Sequence, residues 1–219
     1  PLAMSLDELL RRACVWRARS VAPTAAGMPS GHAALDALLP GGGWPRRGLT
    51  EILSSDTGIG ALRLVLPALA RLSHEGRWII WVAPPHVPYS PALSGHGLDL
   101  TRVLVVDLPA DDASTRVQAI WAYEQALRFD DCGAALLWLD TLSNLRLRRL
   151  QLAAEAGSTW GLVFRPAQRA GQPSPAPLRL EIEALAESLP GVLSSATSVR
   201  VKLRKARGAQ SGMHCQLEL

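Results

Sequence analysis

The sequence predicts an α/β fold in which a mostly parallel central sheet carries helices on both faces and ends in late antiparallel strands, preceded by an N-terminal helix. Two patterns predict this fold. From Leu49 to Arg165, short apolar runs alternate with helical segments, and the runs are apolar throughout, as in strands that are buried on both faces. After Pro166, apolar and charged residues alternate, which is typical of antiparallel strands with one exposed face.

The composition fits one globular domain without a membrane span. The chain has 219 residues, of which 48% are hydrophobic and 19% charged, and this length allows a substantial core. No apolar run reaches the roughly 18 residues of a membrane-spanning helix, and the N-terminus lacks the order of a secretory signal, so we expect a cytoplasmic protein. The net charge of +4 allows an anionic partner but does not require one.

The cysteines and histidines do not indicate a metal site. Cys14, Cys132 and Cys215 lie far apart in the sequence, and the five histidines have no spacing typical of metal ligands. We therefore expect free thiols in a reducing compartment, with no bound metal and no cofactor.

The first 26 residues predict a helix and a linker that precede a core domain at 27–219. Ser5, followed three residues later by Glu8, forms a capping box that starts the helix. The segment after the helix is rich in proline and small residues, as linkers are. Apolar residues at helical spacing give the helix one apolar stripe, which is a candidate partner-binding surface and packs either on this chain or on another. The stripe consists of Leu6, Leu9, Leu10 and Trp16.

The first half of the core predicts two helices and two strands. A short helix at 35–39 is ended by Pro40 and three glycines. The elements that follow are a strand at 49–53, a helix at 60–73 and a strand at 77–83. Pro67 lacks a backbone donor and is therefore expected to kink the second helix. Trp44 and Tyr89 fall in loops, where aromatic side chains often anchor interfaces.

The second half of the core continues the alternation and then changes to antiparallel strands. Its predicted elements are strands at 102–107, 134–140 and 159–165, helices at 112–129 and 141–156, and late strands at 178–184, 198–207 and 214–219. The helix at 112–129 has an inner face formed by Ala119, Ile120, Tyr123, Ala126 and Leu127.

The order of elements and one motif resemble the core of RecA-type recombinases. The motif consists of Leu35, Asp36, Gly41 to Gly43, Pro45, Arg46, Gly48, Glu51 and Ile52. The resemblance covers about residues 27–206 and implies a RecA-like P-loop fold.

More narrowly, three segments are similar to the ImuA family of bacterial mutagenesis operons: GHAALDALLPGGGWPRRGLTEIL, GIGALRLVLPALARL and IIWVAPPHVPYSPAL. This resemblance implies a non-catalytic adaptor or regulator of translesion synthesis in the DNA-damage (SOS) response. The implied partners are the Y-family-like protein ImuB, an error-prone replicative-type polymerase and RecA, and the implied location during activity is the nucleoid. Self-association stays open.

The loop from Ser54 to Ala61 has the position of a phosphate-binding loop but lacks its chemistry. A working loop reads G-x-x-x-x-G-K-[ST], because a lysine neutralises the outer phosphates and a hydroxyl holds magnesium. When the loop is aligned with this motif without a gap, Gly60 stands in place of the lysine and Ala61 in place of the hydroxyl residue. When the alignment is shifted by one residue, Ile59 and Gly60 take these two places. Asp56 adds a negative charge that would repel phosphate. The loop that is expected to hold no nucleotide comprises Ser54, Ser55, Asp56, Thr57, Gly58, Ile59, Gly60 and Ala61.

Asp140 ends an apolar strand, where a Walker-B acid would hold magnesium. We favour a different role, in which Asp140 caps the helix that follows. The strand at 77–83 is followed by Pro84, Pro85 and His86 rather than by an activating glutamate. The sequence therefore predicts no catalytic residue, and the protein is not expected to be an enzyme.

Two groups of cations are candidate contacts for DNA or for an acidic partner. Side chains at 200, 202 and 204 share one face of a strand and lie about 7 Å apart, which is close to the spacing of phosphates. A solvated edge strand that resists aggregation is the alternative. The absence of interleaved aromatic residues argues against base stacking. The candidates are Arg146, Arg148, Arg149, Arg200, Lys202, Arg204 and Lys205.

Two other functions stay open at this point. The first is a SulA-like inhibitor of cell division that binds the tubulin-like division protein. The second is a weak ATPase with a degenerate phosphate loop. Filamentation of cells on overexpression would favour the first, and a micromolar ATP affinity that Asp140→Ala abolishes would favour the second.

Overall fold

Eight strands form one sheet in the part of the chain that the computed structural model describes, which comprises residues 26–55, 60–108, 113–185, 198–207 and 212–219. The strands are β1 (Gly48–Ser54), β2 (Trp78–Val82), β3 (Val103–Val106), β4 (Cys132–Trp138), β5 (Trp160–Pro166), β6 (Leu178–Ala184), β7 (Ser198–Ala206) and β8 (His214–Glu218). The α-helices are α1 (Ala33–Leu38), α2 (Leu66–His74), α3 (Ser90–Gly95), α4 (Ala113–Arg128) and α5 (Asn144–Ala156). Short 3₁₀ turns lie at Leu100–Arg102 and Ala167–Arg169.

The sheet contains both parallel and antiparallel pairs. Its strand order is β3-β2-β4-β5-β1-β6-β7-β8. The pairs from β3 to β6 are parallel, whereas β6–β7 and β7–β8 are antiparallel. The sheet is therefore mixed. The class predicted from the sequence, a mostly parallel RecA-like P-loop fold, is wrong and is corrected to a mixed-sheet fold.

Helices on both faces of the sheet create two separate cores. On one face, α1, α2 and α3 cover a core that includes Trp44 and Trp160, whose ring centroids lie 5.2 Å apart. On the other face, α4 and α5 cover a second core, where Tyr123 donates a hydrogen bond to the backbone oxygen of Leu162 at 3.0 Å. The predicted inner face of α4 is confirmed, because Ala119, Ile120, Tyr123, Ala126 and Leu127 are all buried.

The start of α2 differs from the sequence prediction. The helix begins at Leu66 rather than at Gly60, and residues 61–65 form turns. Pro67 consequently lies in the first turn of the helix. Backbone N–H groups in the first turn have no intrahelical acceptor, so the proline removes no hydrogen bond there, and the predicted kink is wrong. None of the helices in the described ranges is both long enough and apolar enough to cross a membrane.

Residues 1–25 fall outside the described part of the chain. The predicted N-terminal helix, its linker and the boundary of the core at residue 27 therefore stay predictions. The same holds for the candidate partner-binding residues Leu6, Leu9, Leu10 and Trp16.

Candidate functional site

The predicted degenerate phosphate loop is described at its two ends, while residues 56–59 lie outside the described part. Ser54 is half-buried, Ser55 is exposed, and Gly60 is buried with a φ of 88°. A Cβ atom at Gly60 would lie 2.9 Å from Cδ1 of Leu219, so the C-terminal residue packs directly against this glycine. A phosphate cradle needs the N-terminus of a helix at this point, but α2 begins six residues later. The absence of nucleotide binding at this loop stays a prediction.

Asp140 is exposed and does not cap the helix after β4. Its carboxylate accepts a hydrogen bond from Nε of Arg169 at 3.1 Å. The helix α5 begins later than predicted and is capped by Ser143, whose hydroxyl accepts from the backbone N–H of Arg146 at 3.3 Å. The described residues contain no group of three His, Cys, Asp or Glu side chains that could hold a metal ion.

A buried carboxylate on β1 connects the sheet to the loop that precedes β6. Glu51 is fully buried and accepts hydrogen bonds from Nε of Arg179 at 2.8 Å and from the hydroxyl of Ser174 at 2.6 Å. Nη1 of Arg165 lies 3.4 Å from the same carboxylate. Arg179 also donates to the backbone oxygens of Arg169, Ala170 and Gln172. The network therefore holds this loop against the sheet.

The cations of β7 face solvent beside acidic residues of β6. The alternation is as predicted, since Arg200, Lys202 and Arg204 are half-exposed and the residues between them are buried. However, Arg200 lies 3.8 Å from Glu183 and Arg204 lies 3.5 Å from Glu181. β7 also pairs with a strand on each side, so the alternative of an edge strand is wrong. The strand presents a face of mixed charge rather than a row of unpaired cations.

Lys205 contributes to the loop contacts rather than to this face. Its Nζ donates to the backbone oxygen of Ser174 at 2.7 Å, and burial lowers the pKa of its ammonium group. A role of the β7 cations in binding DNA or an acidic partner stays a prediction.

The arginines of α5 lie beside a groove between α4 and α5. Arg146, Arg148 and Arg149 are all exposed, as expected for a solvent-facing helix. Arg149 pairs with Glu124 of α4 at 2.8 Å, and Arg128 pairs with the same carboxylate at 3.2 Å. Burial raises the pKa of Glu124, but the hydrogen bonds and charges of the two arginines outweigh this effect and lower it.

The α4–α5 groove has a volume of about 570 Å³ and a mainly apolar lining. From α4 it is lined by Val117, Ile120, Trp121 and Glu124, and from α5 by Leu145, Arg146, Arg149 and Leu150. Two of the apolar side chains are unusually exposed, since Trp121 is 64% and Leu145 80% accessible to solvent. Sequence reasoning missed this surface. The available signal was the helical spacing of the apolar residues 117, 120 and 121, which extends the apolar face of α4 beyond what the sheet needs.

A second exposed apolar surface lies at the carboxyl ends of the parallel strands. The β2–α3 loop, residues 83–89, carries Val87 and Tyr89, which are 86% and 72% accessible. Tyr89 is therefore free to anchor an interface, as the sequence suggested. Trp44, the other predicted anchor, is fully buried against Trp160 and is not available to a partner.

The two described cysteines are free thiols, as expected from the sequence. Cys132 is buried in β4, its Sγ donates to the backbone oxygen of Ala134 at 3.3 Å, and burial raises its pKa to about 12. Cys215 is half-buried, and burial raises its pKa as well. Neither thiol has the lowered pKa of a reactive cysteine.

We expect Cys132 to resist thiol reagents until the protein unfolds. At pH 8, a thiol with a pKa of about 12 is ionised in only about one molecule in ten thousand, and the thiolate is the species that reacts. Labelling of a Cys14→Ser variant with an aromatic disulfide reagent should therefore modify Cys215 in the native state and Cys132 only as denaturant unfolds the chain. Rapid labelling of both thiols without denaturant would contradict this expectation.

Comparison with known proteins identifies the family. The family model described as cell division inhibitor SulA matches residues 48–161, just over half of the chain. A protein named cell division inhibitor SulA from Edwardsiella piscicida is 37% identical over 117 residues, which cover 51% of this chain and 67% of that protein. The protein of the same name from Photorhabdus laumondii is 32% identical over 104 residues, which cover 48% of this chain and 56% of that protein.

One solved structure and one further relative carry the same name. The crystal structure of SulA from Pseudomonas aeruginosa is 29% identical, with a TM-score of 0.43, and the match covers 53% of this chain and 97% of that one. SulA of Yersinia pestis is 31% identical over 118 residues, which cover 67% of its length. The residues matched by the family model include the β2–α3 loop and the α4–α5 groove, whereas β6, β7 and β8 lie outside the match.

These comparisons overturn the predicted identity, function and partners. The resemblance to ImuA and to RecA-type recombinases implied an adaptor for translesion synthesis that acts with ImuB, RecA and an error-prone polymerase, and the family match supports none of them. The same match confirms the prediction that the protein is not an enzyme. It also favours the alternative of a SulA-like division inhibitor over the main interpretation. The chain belongs to the SulA family of cell division inhibitors.

Proposed function

We propose that this protein inhibits cell division by binding the tubulin-like division protein in the cytoplasm as part of the SOS response. The observation that carries the proposal is the family match across residues 48–161, which spans strands β1 to β4, the helices between them, α5 and the first two residues of β5. Inhibition by binding requires no catalytic group, in agreement with the chemistry of the loop at 54–61. The nucleoid location implied by the ImuA resemblance belonged to the translesion role and is not part of this proposal.

The β2–α3 loop is the surface that we assign to this contact. Val87 and Tyr89 are the exposed large apolar side chains of the loop, and both lie within the matched residues. An aromatic and an aliphatic side chain that protrude together are typical anchors of a protein interface. Pro84, Pro85 and Pro88 restrict the backbone around them, which lowers the entropy lost when the loop is fixed by a partner.

We expect the double variant Val87→Ala/Tyr89→Ala to bind the division protein at least about tenfold more weakly than the wild type, because both anchors are lost. Expression of the wild-type chain should filament bacterial cells, and the purified protein should reduce polymerisation of the division protein measured by light scattering. The double variant should do neither at the same concentration, while its thermal unfolding should be unchanged because both side chains are exposed.

The matched control is Leu152→Ala, which removes an exposed apolar side chain of α5 outside the assigned surface. This variant should filament cells as the wild type does. If the wild-type chain neither filaments cells nor affects polymerisation, the proposed function is wrong. If the wild type is active and the double variant equally so, the function stands but the assigned surface does not.

A further inference from the structure

The α4–α5 groove is a second apolar surface, and its shape follows from the spacing of residues on two packed helices. On α4, Val117, Ile120 and Trp121 recur at the spacing that places side chains on one face. On α5, Leu145 and Leu150 face them across the groove. Ile120 and Leu150 form a buried floor, whereas the other three apolar side chains form exposed walls. Large apolar side chains grouped in this way mark an interaction site more often than an ordinary solvated surface.

The charge of the groove is positive. The one carboxylate that lines it, that of Glu124, already pairs with Arg128 and Arg149. Arg146 lines the groove as well, and among the described residues no carboxylate forms an ion pair with its guanidinium group. Three guanidinium groups and one carboxylate leave an excess of two positive charges beside an apolar floor. A partner that complements this surface combines apolar side chains with carboxylates.

We infer that the α4–α5 groove binds an amphipathic helical segment of a protein partner, whose apolar side chains enter the groove and whose flanking carboxylates pair with Arg146 and Arg149. Two helices of 13 and 16 residues, about 20–24 Å long, form walls that match three to four turns of a third helix. Nucleic acid fits this surface less well, because the lining is mostly apolar and a carboxylate lies among its cations.

This inference goes beyond the proposed contact with the division protein, because the groove and the β2–α3 loop are formed by different elements. It also gives a role to two of the arginines that the sequence singled out. For Arg146 and Arg149, the expected acidic partner is a helix with an apolar face rather than a nucleic acid.

The test uses the full chain and a synthetic helical peptide with leucine at positions i, i+3, i+4 and i+7 and glutamate at the flanking positions. A matched peptide carries lysine in place of glutamate. In calorimetry we expect the glutamate peptide to bind with a Kd on the order of 10 μM and the lysine peptide to bind at least about tenfold more weakly. Trp121→Ala should lower the affinity for the glutamate peptide about tenfold, and Arg146→Gln should lower it severalfold. Leu152→Ala, outside the groove, should leave its affinity unchanged.

Several results would overturn the inference. The absence of binding, or equal binding of both peptides, would exclude an acidic helix as the occupant. A wild-type dimer that Trp121→Ala dissociates in sedimentation would identify the occupant as a second copy of the chain. Tighter peptide binding by the full-length Leu9→Glu/Trp16→Glu variant would identify it as the N-terminal segment of the chain itself. Because the assay contains no division protein, its outcome is independent of the proposed function.

Discussion

Replacing Glu51 by glutamine is expected to lower the free energy of unfolding by about 3–5 kcal/mol, and the melting temperature by about 10 °C. The substitution keeps the shape of the side chain but removes the negative charge that Arg165 and Arg179 face inside the protein. Both arginines are almost fully buried and cannot turn to water. Their charges would then be left in a medium of low polarity without compensation, which costs more than the loss of the hydrogen bonds alone.

The matched control for this substitution is Glu183→Gln. Glu183 faces Arg200 at 3.8 Å, and both side chains are substantially exposed. Water screens such a pair, so the change in the free energy of unfolding should be about 1 kcal/mol or less. Urea unfolding followed by circular dichroism measures both variants. If the two substitutions cost the same, the Glu51 network contributes no more than a surface ion pair, and our account of the loop before β6 is wrong.

The positions of the strands could be predicted closely because they depend on local patterns, whereas the helix α3 was not predicted and α2 begins six residues later than expected. The apolar run at residues 134–140 and the alternating run at 178–184 both gave strands within two residues of those observed. Pro67 was the main local error. Proline disfavours the interior of a helix but suits its first turn, and the sequence alone did not indicate which of the two applied.

Tyr89 of the contiguous β2–α3 loop could be identified from the sequence, but the Glu51 network and the α4–α5 groove could not, because their contacts join residues that are far apart in the chain. Glu51 is 114 residues from Arg165 and 128 from Arg179, and no local pattern indicates that they meet. The α4–α5 groove also combines residues of two helices. Exposure of Trp121 depends on how these helices pack, so it became visible only in the structure.

The resemblance to RecA-type proteins rested on residues that serve packing. A Cβ atom at Gly43 would collide with the backbone oxygen of Met28, and Trp44 forms a backbone bridge to the same residue. The glycines of this segment therefore allow two backbone segments to approach each other. Such a requirement belongs to the turn before β1 and carries no information about nucleotide chemistry or about partners. This explains why the motif pointed to the wrong family.

Gly157→Ala is expected to be the other severely destabilising substitution, with a loss of about 3 kcal/mol or more in the free energy of unfolding. Gly157 ends α5 with a φ of −82°, which alanine adopts without strain, so the cost arises from packing alone. An added Cβ would collide with the backbone oxygen of Leu127 and lie 2.9 Å from Cα of Arg128. Both atoms belong to the backbone of α4, which cannot move aside as the end of a flexible side chain does.

The same substitution should also affect the α4–α5 groove, because Gly157 sets the distance between the ends of the two helices. The added methyl group has to push α5 away from α4, which should widen the groove. The folded variant should therefore bind the glutamate peptide more weakly than the wild type, in addition to being less stable. Gly171→Ala is the matched control, since a Cβ there would meet no atom within 4 Å, and its effect should stay within about 0.5 kcal/mol. Thermal unfolding measures both variants, and peptide titration of the folded Gly157→Ala protein tests the coupling. If Gly157→Ala is as stable as the wild type, α4 and α5 pack less closely than described, and the description of the groove floor is wrong.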